Sequence, residues 1–271
     1  MSQIEYDPIK DRFAAFIRRS RALRRVFYFL LDLFFIRSWV VRRRLRAEFA
    51  GKRDLRVLDA GCGFGQYDRF LLATFPGIRV DAIDVKADYL DDCRRYFAAD
   101  IAAGRITFRQ SDLTTDTYPP EYDAVLCVDV LEHIGPDVAV MAALRGALKP
   151  GGFLLMHSPS DRAEEDADGD GFFVGEHARP GYGTADLDAK LREAGFDRSD
   201  IRLGTGPLAH LAWIWLIRWP MLWMNRHFGF VAVLPIWYAL TLLPGLLLMR
   251  IDVMRPAKAG FAISAVAYRD R

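Results

Sequence analysis

The chain has 271 residues, of which 52% are hydrophobic, and its 37 Lys and Arg nearly balance 35 Asp and Glu. A net charge of +2 excludes a molecule that binds polyanions over its whole surface, so nucleic acid is not an expected partner. The length allows one large domain with additions, and three cysteines (Cys62, Cys93, Cys127) are too few and odd in number for a disulfide framework, which points to a reducing, cytoplasmic side.

The first region, residues 1–50, begins with "MSQIEYDPIKDRF", polar and mixed in charge, unlike a signal peptide. Between Arg18 and Arg53 twelve Lys or Arg residues face only two acids, Asp32 and Glu48, around the aromatic run "FYFLLDLFFIRSWVV". A basic, aromatic helical segment of this kind suits an anionic membrane surface.

The second region, residues 51–206, alternates short β-branched runs with helical stretches, and residues 256–271 add a last strand. The expected strands are 55–60, 79–85, 106–113, 122–130, 153–159, 200–206 and 260–269. The alternation predicts an α/β fold with a mostly parallel sheet between layers of helices. No ordinary crossover helix separates the last two strands. The apolar region 207–255 stands there instead.

"VLDAGCGFGQY" places Gly61, Gly63 and Gly65 between the first strand and a helix, where glycine lets the backbone turn sharply and approach a ligand. Asp84, at the end of the second strand, is placed to accept hydrogen bonds from a ribose. Gln66 stands where a dinucleotide-binding loop has its third glycine, which argues against a nicotinamide or flavin cofactor.

In order along the chain, "LDAGCGFG", "AIDV", "QSDL", "YDAVLCVDVLEHI" and "LKPGGFLLMHSP" resemble the motifs of the class I S-adenosylmethionine-dependent methyltransferases. The resemblance covers about residues 55–206 and closes with 260–269. It implies a Rossmann-like seven-stranded sheet whose last strand is antiparallel, and S-adenosylmethionine as the cofactor. It further implies that Asp59 and the loop of Gly61, Cys62, Gly63 and Gly65 hold the methionine part, that Asp84 takes the ribose, and that Val85, Asp112 and Leu113 take the adenine. Asp129 joins these at the mouth of the site. Glu132 and His133 follow it, and some relatives use such an acid-x-x-Glu-His cluster to bind a divalent ion. No metal is assigned here, and His133 is expected to act as a base or to orient the acceptor.

Beyond the fifth strand, "DADGDG" starts like a calcium loop at Asp166, Asp168 and Asp170, but His177 stands where the final Glu belongs, so an acidic lid is expected. His177, Arg179 and Tyr182 are candidates to face the acceptor; alternatively Arg179 and Pro180 cap the next helix.

Residues 207–255 hold two apolar segments parted by "NRHFG" and carry five of the six tryptophans. Both ends must return to the same sheet, so the region is expected to form a helical hairpin dipping into one leaflet. The expected function is methyl transfer to a lipophilic, membrane-resident acceptor such as a quinone precursor or a terpenoid, at the cytoplasmic face. The alternatives are a soluble small-molecule or protein methyltransferase whose apolar insertion makes a dimer, and a non-catalytic membrane adaptor.

Overall fold

The computed structural model describes residues 20–162, 178–255, 257 and 259–270. The expected acidic lid with Asp166, Asp168, Asp170 and His177 lies outside them, as does the "MSQIEYDPIKDRF" segment.

Strand β1 (Arg56–Ala60) pairs in parallel with β2 (Arg79–Asp84) on one side and β4 (Tyr122–Val128) on the other. Beyond β2 lies β3 (Ile106–Gln110), and beyond β4 lies β5 (Leu148–Pro159), both parallel. The last strand, β7 (Ala262–Arg269), runs antiparallel between β5 and β6 (Arg198–Gly204). The order is therefore β3-β2-β1-β4-β5-β7-β6, the Rossmann-like mixed sheet that the sequence implies. Because β7 opposes both neighbours, β6 runs in the same direction as β1 to β5, and its end lies at the edge where theirs lie.

Successive strand residues point to opposite faces, so each strand feeds two cores. Leu58 and Val125 face helices α6 (Asp137–Ala147) and α7 (Thr184–Glu193), together with Met141, Leu144 and Leu187. Val57 and Leu126 face the other way, toward Phe70 and Leu71 of α3 (Gln66–Thr74) and Leu90 of α4 (Ala87–Tyr96). Short α5 (Ala98–Ala102) leads into β3. On that second face Val41 and Leu45 of α2 (Ile36–Glu48) also enter the core, next to Phe49. Truncating one of these fully buried leucines to alanine costs about 2 to 5 kcal/mol through lost burial and the cavity left behind.

The N-terminal arginines are not simply a solvated basic face. Helix α1 (Arg21–Phe34), capped by Ser20 Oγ accepting from the Ala22 amide, turns Arg24 inward. From α2, Arg42 pairs with Asp32 at 2.5 Å, and buried Arg44 donates to the carbonyl of Asp200 at 2.8 Å. Arg21, Arg25, Arg43 and Arg46 remain exposed.

After β6 the chain leaves the sheet as a helical hairpin. The outgoing arm is α8 (Pro207–Trp213), a π-turn over Ile214–Arg218, and α9 (Trp219–Arg226). The π-turn has a local cause: Pro220 has no amide hydrogen for the carbonyl four residues back. That carbonyl, of Leu216, instead accepts the Tyr238 hydroxyl at 2.8 Å. A 3₁₀ turn at Phe228–Ala232 reverses the chain, and α10 (Leu234–Met254) returns. The arms meet closely at Gly245, where a Cβ would lie 2.7 Å from Leu216. Ala212, Leu216 and Met249 form the buried centre, and Phe34, Ile36 and Trp39 of the N-terminal helices pack against it. Helix α10 is the one among the described residues that is long and apolar enough to cross a membrane.

Candidate active site

The glycine loop is built on left-handed backbone. Gly61, Gly63 and Gly65 have φ of 85°, 52° and 73°, values that L side chains rarely adopt. A Cβ at Gly61 would meet Val130 at 2.4 Å, because the ends of β1 and β4 approach there. At Gly63 a Cβ would meet nothing within 4 Å, so this part of the loop faces open space. Gly65 then starts α3 as its N-cap.

Asp84, at the end of β2, accepts the Gly63 amide on Oδ2 and the Lys86 amide on Oδ1, each within 2.9 Å. Each oxygen keeps a lone pair for a further donor. Burial raises the Asp84 pKa, and the amides of Lys86 and Gly63 oppose that shift. Beside it Val85 is 59% exposed, an apolar side chain at the rim with room for a flat ring. Across β3's end, Asp112 is exposed and accepts the Thr114 amide at 2.8 Å, while Leu113 is buried. Cys62 is a buried free thiol, as are Cys93 and Cys127.

Beneath the loop, Asp59 of β1 and Asp68 of α3 face one another, both almost wholly buried. Neither oxygen of Asp68, nor Oδ2 of Asp59, has another hydrogen-bond partner. Burial pushes Asp59 up to about 7, and Asp68 also rises, through burial and the charge of Asp59. Two carboxyl groups so placed resist ionising together.

At the end of β4, Asp129 has a left-handed backbone (φ 54°) and is held from two sides. Arg37 of α2 forms an ion pair with Oδ2, and His157 Nδ1 of β5 lies 2.6 Å from Oδ1. Burial opposes its ionisation, but Arg37 and then His157 outweigh it and hold the carboxyl far below the usual range. Glu132 turns inward, accepting the Ser158 hydroxyl at 3.1 Å, and burial with the nearby charge of Asp129 raises it to about 8. His133 is exposed at the same edge. Asp129 is thus turned to Arg37 and His157 and Glu132 to Ser158, and the described residues contain no group of three His, Cys, Asp or Glu placed to hold a metal ion.

Arg179 lies elsewhere. Its guanidinium donates to the carbonyls of Leu131, Ile134 and Gly135 and pairs with Asp137 at the start of α6. Tyr182, fully buried, donates to the same Asp137 at 2.9 Å. Arg179 thus fastens the loop before α6, and α7 begins at Gly183 with no side-chain cap, so the alternative of Arg179 capping that next helix is not what the contacts show.

The N-terminal helices close one side. The carbonyl of Phe64, within the glycine loop, accepts from Arg24 at 2.8 Å and from the Tyr28 hydroxyl. Gln66 donates to Asp32 of α1 and to Ser38 of α2, both at 2.8 Å. Arg37, His157, Asp68 and Ser158 join the site although none is expected there from the sequence analysis. The one available signal was the polar pair His157-Ser158 ending an apolar strand at the site's edge.

The family profile described as "Methyltransferase domain" matches residues 58–154, the stretch from β1 to mid-β5 that carries the glycine loop, Asp84 and Asp129. The matched stretch is a methyltransferase domain. Over 130 residues it is 34% identical to a phosphoethanolamine N-methyltransferase of Triticum aestivum, covering 44% of this chain and 25% of that protein. Over 119 residues it is 29% identical to a ubiquinone biosynthesis O-methyltransferase of Thiobacillus denitrificans, covering 44% and 49%. The chain therefore spans about a quarter to a half of the curated relatives it matches. The phosphoethanolamine N-methyltransferase 2 of Haemonchus contortus, solved with S-adenosyl-L-methionine, superposes with a TM-score of 0.55 at 17% identity, covering 89% of this chain and 60% of that one. The cofactor of such a methyltransferase domain is S-adenosylmethionine, and the open loop, the half-satisfied Asp84 and the bare Val85 fit it.

Proposed function

We propose that the chain transfers the methyl group of S-adenosylmethionine to an oxygen, nitrogen or carbon of a lipophilic acceptor held in a membrane, such as a quinone precursor, a terpenoid or another lipid, at the cytoplasmic face. The observation that carries this reading is the place of the apolar hairpin, which leaves the sheet from the edge that bears the glycine loop, Asp84 and Asp129. A lipid acceptor can then reach the site without crossing water. The relative named for ubiquinone biosynthesis supports the same substrate class.

In this reading the loop from Gly61 through Cys62 and Gly63 to Gly65 holds the methionine part, and Asp59, buried beneath it against Asp68, supports the loop from below. Asp84 takes the ribose hydroxyls, and Val85, Asp112 and Leu113 border the adenine. Asp129, held by Arg37 on one oxygen and His157 on the other, borders the cofactor at the end of β4. When bound, the cofactor would supply an electrophilic methyl group, its sulfur leaving as S-adenosylhomocysteine when the acceptor takes the methyl. Alignment and exclusion of water do most of the work in such a transfer. His133, exposed at the mouth, orients the acceptor or takes its proton; His177, outside the described residues, remains a second candidate.

A second reading has one observation in its favour. Exposed Ile236, Leu240, Leu243 and Leu247 lie at helix-seam spacing, so the same face suits a partner helix in a soluble dimer. One experiment separates the two. Purified protein is incubated with methyl-labelled S-adenosylmethionine and vesicles of total bacterial lipid, beside the double variant Leu240→Glu with Leu243→Glu. Label should enter the organic phase with the parent chain and fall at least tenfold with the variant, at unchanged cofactor affinity. Label confined to water-soluble acceptors, at equal rates with and without vesicles, would overturn the membrane reading.

A further inference from the structure

The two faces of α10 differ sharply. Tyr238, Leu242, Gly245 and Met249 look toward the outgoing arm and the N-terminal helices. On the opposite side Ile236, Leu240, Leu243 and Leu247 are 66%, 69%, 75% and 58% exposed. At about 100° per residue these four fall within roughly 60° of arc, and the stripe runs about 16 Å along the helix. It is thus a lateral face, and it is more exposed than the apolar side chains of the turn, Phe230, Val231 and Val233, at 37% to 43%. Its continuation on the same side is Arg250, also exposed.

The one acid of α10, Asp252, is turned to the base of the hairpin, where it accepts the Gly206 amide at 2.8 Å. From Pro207 to Ile251 the chain carries Arg218, Arg226 and Arg250 and no acid. Arg226 is exposed, with His227 beside it, at the far end of the hairpin, while Arg250 and Arg255 are exposed at its base. An apolar face with arginines at both ends complements an anionic lipid surface. Aromatic side chains gather at the far end, where Trp219, Trp223 and Trp237 form a cluster with ring centroids 4.8 to 6.4 Å apart. Tryptophan favours the headgroup boundary.

These features discriminate between two ways of meeting a bilayer. Entering tip-first as far as Leu247 would carry Arg226 about 15 Å down, to the middle of the hydrocarbon, where a guanidinium is expensive. Pro244, exposed within α10, also leaves the carbonyl four residues back without its amide donor, and hydrocarbon offers no replacement. Lying flat keeps both guanidinium ends among the headgroups and immerses only the stripe.

We propose that the hairpin lies flat in the interface of an anionic membrane, its Ile236–Leu240–Leu243–Leu247 face immersed just below the phosphates and Arg226 and Arg250 at phosphate level, and does not insert by its tip. This orientation rests on the membrane reading above.

The test measures depth position by position. Single cysteines at Val231, Ile236, Leu240, Leu243 and Leu247 in the full chain carry an environment-sensitive fluorophore. The three native thiols are buried, and the parent chain reports any labelling of them. Each labelled chain is mixed with phosphatidylcholine vesicles containing phosphatidylglycerol and nitroxide lipids quenching at shallow or deep positions, and a thermal melt of each confirms folding. The flat orientation predicts shallow quenching of equal strength from Ile236 to Leu247, lost in vesicles of phosphatidylcholine alone. A monotonic gradient with Val231 deepest and Leu247 shallowest would overturn it while leaving the membrane reading intact. No response to vesicles at any position would overturn both. Shielding of the same probes from a water-soluble quencher without vesicles, rising with protein concentration, would assign the face to a second copy of the chain and overturn both as well.

Discussion

Arg37 of α2 forms an ion pair with Asp129 at the end of β4, 92 positions further along the chain. The pair joins the N-terminal helices to the edge of the sheet that carries the site. Both side chains keep some solvent contact, 31% and 24%, so the pair contributes less than a fully buried one. Arg37→Ala is expected to cost about 1 to 3 kcal/mol of stability, measured by chemical denaturation at pH 7, and Asp129→Asn in the same chain should recover part of it. The Asp129 pKa is depressed in the folded state, so its contribution is present above the ordinary carboxylate pKa of about 4 and is lost as pH falls through the folded value. The gap between parent and variant should therefore hold from neutral pH to about 4 and narrow below it. A gap that stays constant under stronger acid would mean that the pair is not its source.

Asp59 and Asp68 carry the opposite sign. Their folded pKa values lie above the unfolded ones, so the folded chain binds more protons, and the pair costs stability as pH rises from about 4 toward 7. Asp68→Asn supplies a donor to Asp59 without a proton. It is expected to stabilise the protein by about 1 to 3 kcal/mol at pH 8, and by much less at pH 4.5, in thermal melts of the cofactor-free protein. Equal effects at the two pH values would show that the two groups do not oppose one another's ionisation.

Asp84 is tested through the cofactor. Its two oxygens each hold one backbone amide and keep lone pairs for two hydroxyls. Asp84→Ala should weaken S-adenosylmethionine binding by about 1.5 to 3 kcal/mol, the scale of charge-assisted hydrogen bonds lost from a ligand. Titration calorimetry reads this directly. Unchanged affinity in a folded variant would remove Asp84 from the cofactor site.

His133 stands exposed where the acceptor arrives. His133→Ala should lower kcat by about tenfold or more once an acceptor is in hand, while cofactor affinity stays near the parental value. Equal losses in cofactor binding and turnover would make it a structural residue.

The strands could be read from the sequence because each is a β-branched run closed by a turn, and most ends fall within about two residues of the expected ones, within the ordinary uncertainty of strand ends. The exceptions have local causes. Strand β3 stops at Gln110, where Ser111 and Asp112 bond to Asp116 and turn the chain away. Strand β5 begins at Leu148 and not at residue 153, because Leu148 pairs with Tyr122 across a register shift that carries the strand through Lys149–Gly152. Within the site, the glycine loop and Asp84 were legible because they sit at fixed offsets from β1 and β2. Arg37 and His157 were not, since their partner Asp129 is remote in sequence, and an arginine turned inward has the same local pattern as one facing water. The same blindness made the whole N-terminal segment read as a basic surface, although Arg24, Arg37, Arg42 and Arg44 make interior contacts.

The carbonyl of Phe64 accepts from two side chains of α1, Arg24 and Tyr28, which lie 40 and 36 positions before it. Lifting α1 takes both donors from the loop at once and leaves that carbonyl to the solvent. The amides of the loop and of the first helix then belong to one opening unit, distinct from the strands beneath. Their deuterium uptake should rise and fall together, and a loop that opens with a helix ties the residence time of bound cofactor to the detachment of the chain's own N-terminal arm.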